Sequence, residues 1–81
     1  MSASHDYAER LCARLPRLLQ ELREGRQLSK YALWQKCGVS RDMIGRIEDG
    51  ESIPTLHAAA RLAHGLDRRL AEFLAALEDG A

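Results

Sequence analysis

The sequence predicts an all-α fold of five helices in a single domain. Three observations carry that reading. Apolar residues recur at three- and four-residue spacing in five separate stretches. Serines, a threonine and glycines stand where those stretches begin and end. Nowhere do apolar and polar residues alternate as they would in a half-buried strand. The boundaries predict a flexible tail over 1–6, one folded unit over 7–78 and a short tail over 79–81.

In the first helix, Leu11, Leu15, Leu18, Leu19 and Leu22 form one stripe, extended a turn earlier by Tyr7. Pro16 cannot donate to the carbonyl of Cys12, which predicts a kink or a restart there; the unbroken stripe favours a kinked helix over two. Gly25 is its expected stop. Ser29 caps the second helix, whose apolar face continues through Leu33 and Cys37 to Gly38, expected in a left-handed conformation. Val39 plugs the turn, and Ser40 caps a third helix with Met43, Ile44 and Ile47 on its apolar side. After Asp49-Gly50 comes a loop in which Ile53 reads as an apolar anchor before Pro54. Thr55 then caps a fourth helix carrying Leu56, Ala59, Ala60, Leu62 and Ala63, ending at Gly65 or Leu66-Asp67. Leu70, Phe73, Leu74 and Leu77 mark the fifth.

Composition narrows the function classes. Only 46% of the 81 residues are apolar and 5% aromatic, so Leu, Ala and Ile must build the core. A core of that size leaves a margin of roughly 3–5 kcal/mol, which dimerisation would enlarge. Cys12 and Cys37 lack the spacing of a disulfide framework or a zinc site, and read as reduced thiols in a cytoplasmic protein. No membrane span or secretion signal is read in the sequence. His57 and His64, seven residues apart on one helix, are too distant to share a metal. No nucleophile–base pair, phosphate loop or carboxylate pair emerges from spacing, so neither an enzyme nor a cofactor is expected. Twelve basic and twelve acidic residues cancel, which predicts a small or salt-limited footprint for any polyanionic partner.

Two short helices joined by Gly38-Val39-Ser40 fit a helix-turn-helix over 29–50. The stretch LSKYALWQKCGVSRDMIGRIEDGESIP resembles the lambda-repressor-like (Cro/XRE-type) domains in its L-S opening, its G-V-S turn, its I-x-R-I-E-x-G ending and its proline loop. The resemblance covers about residues 15–76. It implies a regulator that binds double-stranded DNA, as a homodimer on a palindromic operator, with the third helix in the major groove.

By the same resemblance, Ser40, Arg41, Asp42 and Arg46 occupy the base-reading positions. The chemistry fits, since arginine makes two parallel bonds to guanine and aspartate accepts from a cytosine amino group. Ser29, Lys30 and Tyr31 fall where the DNA backbone is held, and Arg23 and Glu48 where the family has a structural salt bridge. The apolar residues of the fifth helix (Leu70, Phe73, Leu74, Leu77) are the expected dimer surface, with intramolecular packing as their alternative use. This sequence departs from the family's pattern at Trp34, where a small residue is usual; at Gly45, inside the third helix; and at Asp49 and Glu51, which bring negative charge to the DNA side. Trp34 is expected partly buried, with a surface contact as the alternative. The acids and the tryptophan favour a second reading, a protein-interaction module such as an antitoxin or adaptor on the same fold.

Overall fold

Five helices account for the regular structure in the computed structural model, which describes residues 3–79. They are α1 (Ala3–Gly25), α2 (Lys30–Cys37), α3 (Arg41–Glu48), α4 (Leu56–Gly65) and α5 (Leu70–Asp79). Helix α1 takes in residues 3–6, which the sequence places in the N-terminal tail. It runs through Pro16 as one helix. Residues 1–2 and 80–81 of the expected tails lie outside the described residues.

Side-chain caps start three of the helices. Ser29, Ser40 and Thr55 each accept from the amide three residues on, at 3.0 Å (Ala32), 3.1 Å (Met43) and 3.1 Å (Ala58). Each cap occupies a donor that the helix itself cannot satisfy. Gly38 ends α2 with φ +79°, its amide bonded to the carbonyl of Trp34. Gly50 closes α3 with φ +78°.

Helices α1 and α4 end at Gly25 and Gly65, as expected, but neither glycine takes the left-handed conformation. The left-handed residues are Gln27 and Asp67, both with φ +58°. The bonds Leu28 N–H to Arg23 C=O and Gln27 N–H to Glu24 C=O form a closed helix end, and Arg68 to Ala63 with Asp67 to His64 repeats it. Gly65 has a second use besides ending α4. A Cβ there would lie 2.7 Å from the Cβ of Cys37 and 3.0 Å from a methyl of Leu33, so the missing side chain sets how closely α4 approaches α2.

The core is aliphatic around one ring. Leu15 and Leu19 of α1, Leu33 of α2, Ile44 and Ile47 of α3, Leu62 and Leu66 at α4, and Phe73 and Leu77 of α5 form one buried cluster, with Val39 sealing the turn. Helix α1 packs on α3 and α5, and α2 packs on α3 and α4. Arg14 closes the carbonyl end of α5 through Leu77 (2.9 Å) and Glu78 (3.2 Å). Ile53 and Leu56 do not anchor the loop or the fourth helix. They are 69% and 70% exposed, because α4 turns Ala59, Leu62 and Ala63 inward instead.

Candidate nucleic-acid interface

Helix α3 is built with two unlike faces. Ile44 and Ile47 are completely buried, and Met43 packs beside them. At the same end, Glu48 receives Arg23 Nε at 2.7 Å and Nη2 at 2.9 Å, a two-pronged pair whose side chains are 5% and 9% exposed. Hydrogen bonding to Glu48 raises the Arg23 pKa further, so the guanidinium stays charged despite its burial. Its third arm, Nη1, donates to the carbonyl of Leu28 at 2.8 Å. One side chain of α1 thus ties the α1–α2 loop to the end of α3.

The opposite face carries Arg41, Asp42, Arg46 and Asp49, all exposed, with half-buried Gly45 in their midst. Apart from its chain neighbours and the backbone of its own helix, nothing lies within 4 Å of where a Gly45 Cβ would stand. The protein's own packing therefore does not require a glycine at this point. Ser40 Oγ accepts one bond in capping α3, which leaves its hydroxyl hydrogen and a second lone pair free.

The two arginines are held differently. Arg46 Nε lies 3.3 Å from Asp42 Oδ2, one turn back on the same helix. Arg41 has no ion-pair partner among the described residues; its guanidinium lies over the ring of Tyr31, 5.9 Å from the centroid. Asp42 thus meets Arg46 as an exposed ion pair within α3.

Helix α2 brings its start to this side through the Tyr31–Arg41 contact. With Ser29 capping Ala32, the first-turn amides of Lys30 and Tyr31 have no acceptor inside the helix, and Lys30 is exposed. Trp34 lies outside the core cluster with 39% of its surface exposed, and it meets Tyr31 edge-on at 5.3 Å. Trp34 is thus an exposed residue and not the partly buried one expected, and its ring contact is with Tyr31 of the same helix. Gln35 donates to the Tyr31 hydroxyl at 3.0 Å. The i, i+3, i+4 spacing of Tyr31, Trp34 and Gln35 carried a signal of this cluster, which a reading focused on α3 passes over.

The remaining site residues divide by burial. Phe73 and Leu77 belong to the core of their own chain, which removes them from any surface; α5 leaves Leu74 exposed and Leu70 half-buried. His57 and His64 are exposed and border an open groove with Lys36 and Arg61 between α2 and α4. No group of three His, Cys, Asp or Glu among the described residues is placed to hold a metal, and no helix among them is long and apolar enough to cross a membrane.

A capped α2, a left-handed glycine turn, and an α3 fixed from behind and bare in front define a helix-turn-helix domain. The chain belongs to that family, whose model (Helix-turn-helix domain) matches residues 14–77. It is 36% identical over 66 residues to the HTH-type transcriptional regulator SutR of Escherichia coli (strain K12), a match covering 82% of this chain and 37% of that protein. A solved structure, that of an HTH_3 family transcriptional regulator from Vibrio cholerae, aligns with a TM-score of 0.74 at 38% identity, over 80% of this chain and 36% of that one. The chain spans little more than a third of the length of either relative.

Proposed function

We propose that this chain binds double-stranded DNA as the reading domain of a transcriptional regulator. The observation that carries the reading is the division of α3. Its inner face is sealed by Ile44, Ile47 and the Arg23–Glu48 pair, while its outer face offers two arginines and a glycine notch. A helix held this way enters the major groove without rearranging, so little ordering free energy is lost on binding. The names of the two relatives, both transcriptional regulators, support the same use.

In this reading Arg41 donates both edge N–H groups to guanine O6 and N7, and Arg46 reads a second position one turn on. Lys30 and the free amides at the start of α2 receive a phosphate, helped by the positive end of the helix dipole. Two copies of the chain bind a palindromic site with their α3 helices about 34–36 Å apart. The apolar surface left for pairing on α5 is Leu74 with Leu70, while Ile53 and Leu56 are exposed in the loop after α3 and at the start of α4. Repression is the expected outcome of occupying an operator in this way.

The test is a selection from random duplex DNA at two salt concentrations. Enrichment of a palindrome, with log K falling linearly against log[salt], is the expected result. Arg41→Ala and Arg46→Ala relax base preference at single positions, whereas Lys30→Ala weakens all sequences alike. A second reading, a protein-interaction module, draws on the exposed Ile53 and Leu56 and on the zero net charge. It predicts no enriched sequence and no salt-dependent DNA binding.

A further inference from the structure

We infer that Tyr31 is a positioning residue for base readout: it holds the Arg41 guanidinium in place, with Trp34 and Gln35 fixing its ring from behind. The inference rests on the DNA-binding reading above. Three contacts on one face of α2 converge on Tyr31. Trp34 packs edge-on at 5.3 Å, Gln35 Nε2 donates to its hydroxyl at 3.0 Å, and Arg41 lies over the ring at 5.9 Å. The ring is thus held at its side and at its tip, and its face is given to the arginine.

Stacking is the arrangement that suits a reader. A cation held over a ring is attracted by the ring's electron-rich face and needs no carboxylate, and no hydrogen bond or ion pair among the described residues engages the Arg41 guanidinium. A hydrogen-bonded carboxylate would occupy its N–H groups, as Glu48 does with Nε and Nη2 of Arg23. Arg41 is therefore restrained without being blocked. A long, exposed arginine otherwise loses considerable rotamer freedom on docking, and prior restraint reduces that loss. The tryptophan at position 34 gains a role on this account, since it buttresses Tyr31 from outside the core.

The experiment compares base preference in the parent, Arg41→Ala, Tyr31→Leu, Tyr31→Phe and Trp34→Leu, by selection and by titration against single-base variants of the selected site. Arg41→Ala identifies the base pair that Arg41 reads. Tyr31→Leu is expected to lose about two- to fivefold of the discrimination at that same base pair, with unchanged preference elsewhere. Tyr31→Phe, which keeps the ring, restores most of it, and Trp34→Leu gives a smaller loss at the same position. The Nε–Hε resonance of Arg41 in the free protein provides a second readout. Its ring-current shift disappears in Tyr31→Leu and persists in Tyr31→Phe. Melting temperatures check that the variants fold. If Tyr31→Leu weakens all sequences equally, or leaves the profile and the Arg41 resonance as in the parent, the positioning role is overturned while the DNA-binding reading stands. A parent that enriches no sequence overturns both.

Discussion

Two ion pairs touch α3, and they occupy opposite environments. Arg23 and Glu48 meet behind the helix with side chains 9% and 5% exposed, while Asp42 and Arg46 meet in front with 84% and 55% exposed. Both are arginine–carboxylate pairs, but the rear one is two-pronged at 2.7 and 2.9 Å and the front one a single approach at 3.3 Å, and water separates the two cases further. Behind the helix, both ions have lost their hydration, so neither can lose its partner cheaply. In front, solvent screens the attraction and stands ready to replace it. The first pair is therefore a structural tie, and the second an adjustable one that competes with whatever Arg46 binds.

That contrast is broken most directly at Glu48. Glu48→Ala leaves Arg23 buried and uncompensated, and the expected loss of about 3–5 kcal/mol is the whole margin of a domain this size, so in a urea titration the variant should be largely unfolded before urea is added. A loss below about 1 kcal/mol would place the pair in the same class as Asp42–Arg46. Gly65→Ala comes next. Its methyl meets Cys37 and Leu33 where α4 crosses α2, and an overpacking loss of about 1–3 kcal/mol should appear in the same titration.

On the front face the expected effects shrink and change sign. Gly45→Ala fills open space and raises helix propensity, so stability should increase by about 1 kcal/mol. In the same variant, affinity for the selected duplex should fall, as measured by fluorescence anisotropy. A variant both more stable and equally tight would show that the notch is unused. Asp42→Asn should move stability by no more than about 0.5 kcal/mol. It frees Arg46, removes a negative charge beside phosphate, and should tighten DNA binding with a steeper salt dependence.

How much of this was readable beforehand follows the same division. The five helices, their order and their buried residues are legible in leucine periodicity and in the Ser29, Ser40 and Thr55 caps, because those signals are local to each helix. The meeting of Arg23 with Glu48 spans 25 positions, and only a family motif links them in the sequence. Gly25 and Gly65 both read as helix stops, yet the left-handed positions went to Gln27 and Asp67. A closed helix end places that residue two positions later, and at 67 the carboxylate also receives Arg26 at 3.1 Å and Lys36 at 3.6 Å. The true constraint on Gly65 is a neighbouring helix, which no local pattern encodes. Ile53 and Leu56 were misread for a related reason: periodicity marks an apolar position but not whether another element arrives to cover it.

The guanidinium of Arg23 also bears on time. Its three arms hold Glu48 at the end of α3 and the carbonyl of Leu28 before α2. Fraying at residue 48 and loosening at residue 28 therefore each release arms of the same guanidinium. Segments twenty positions apart in the chain are thereby joined into one cooperative opening unit. The end of α3 is thus held against the fraying to which short surface helices are prone. It persists for as long as the end of α1 does, so its lifetime is borrowed from the longest helix in the molecule.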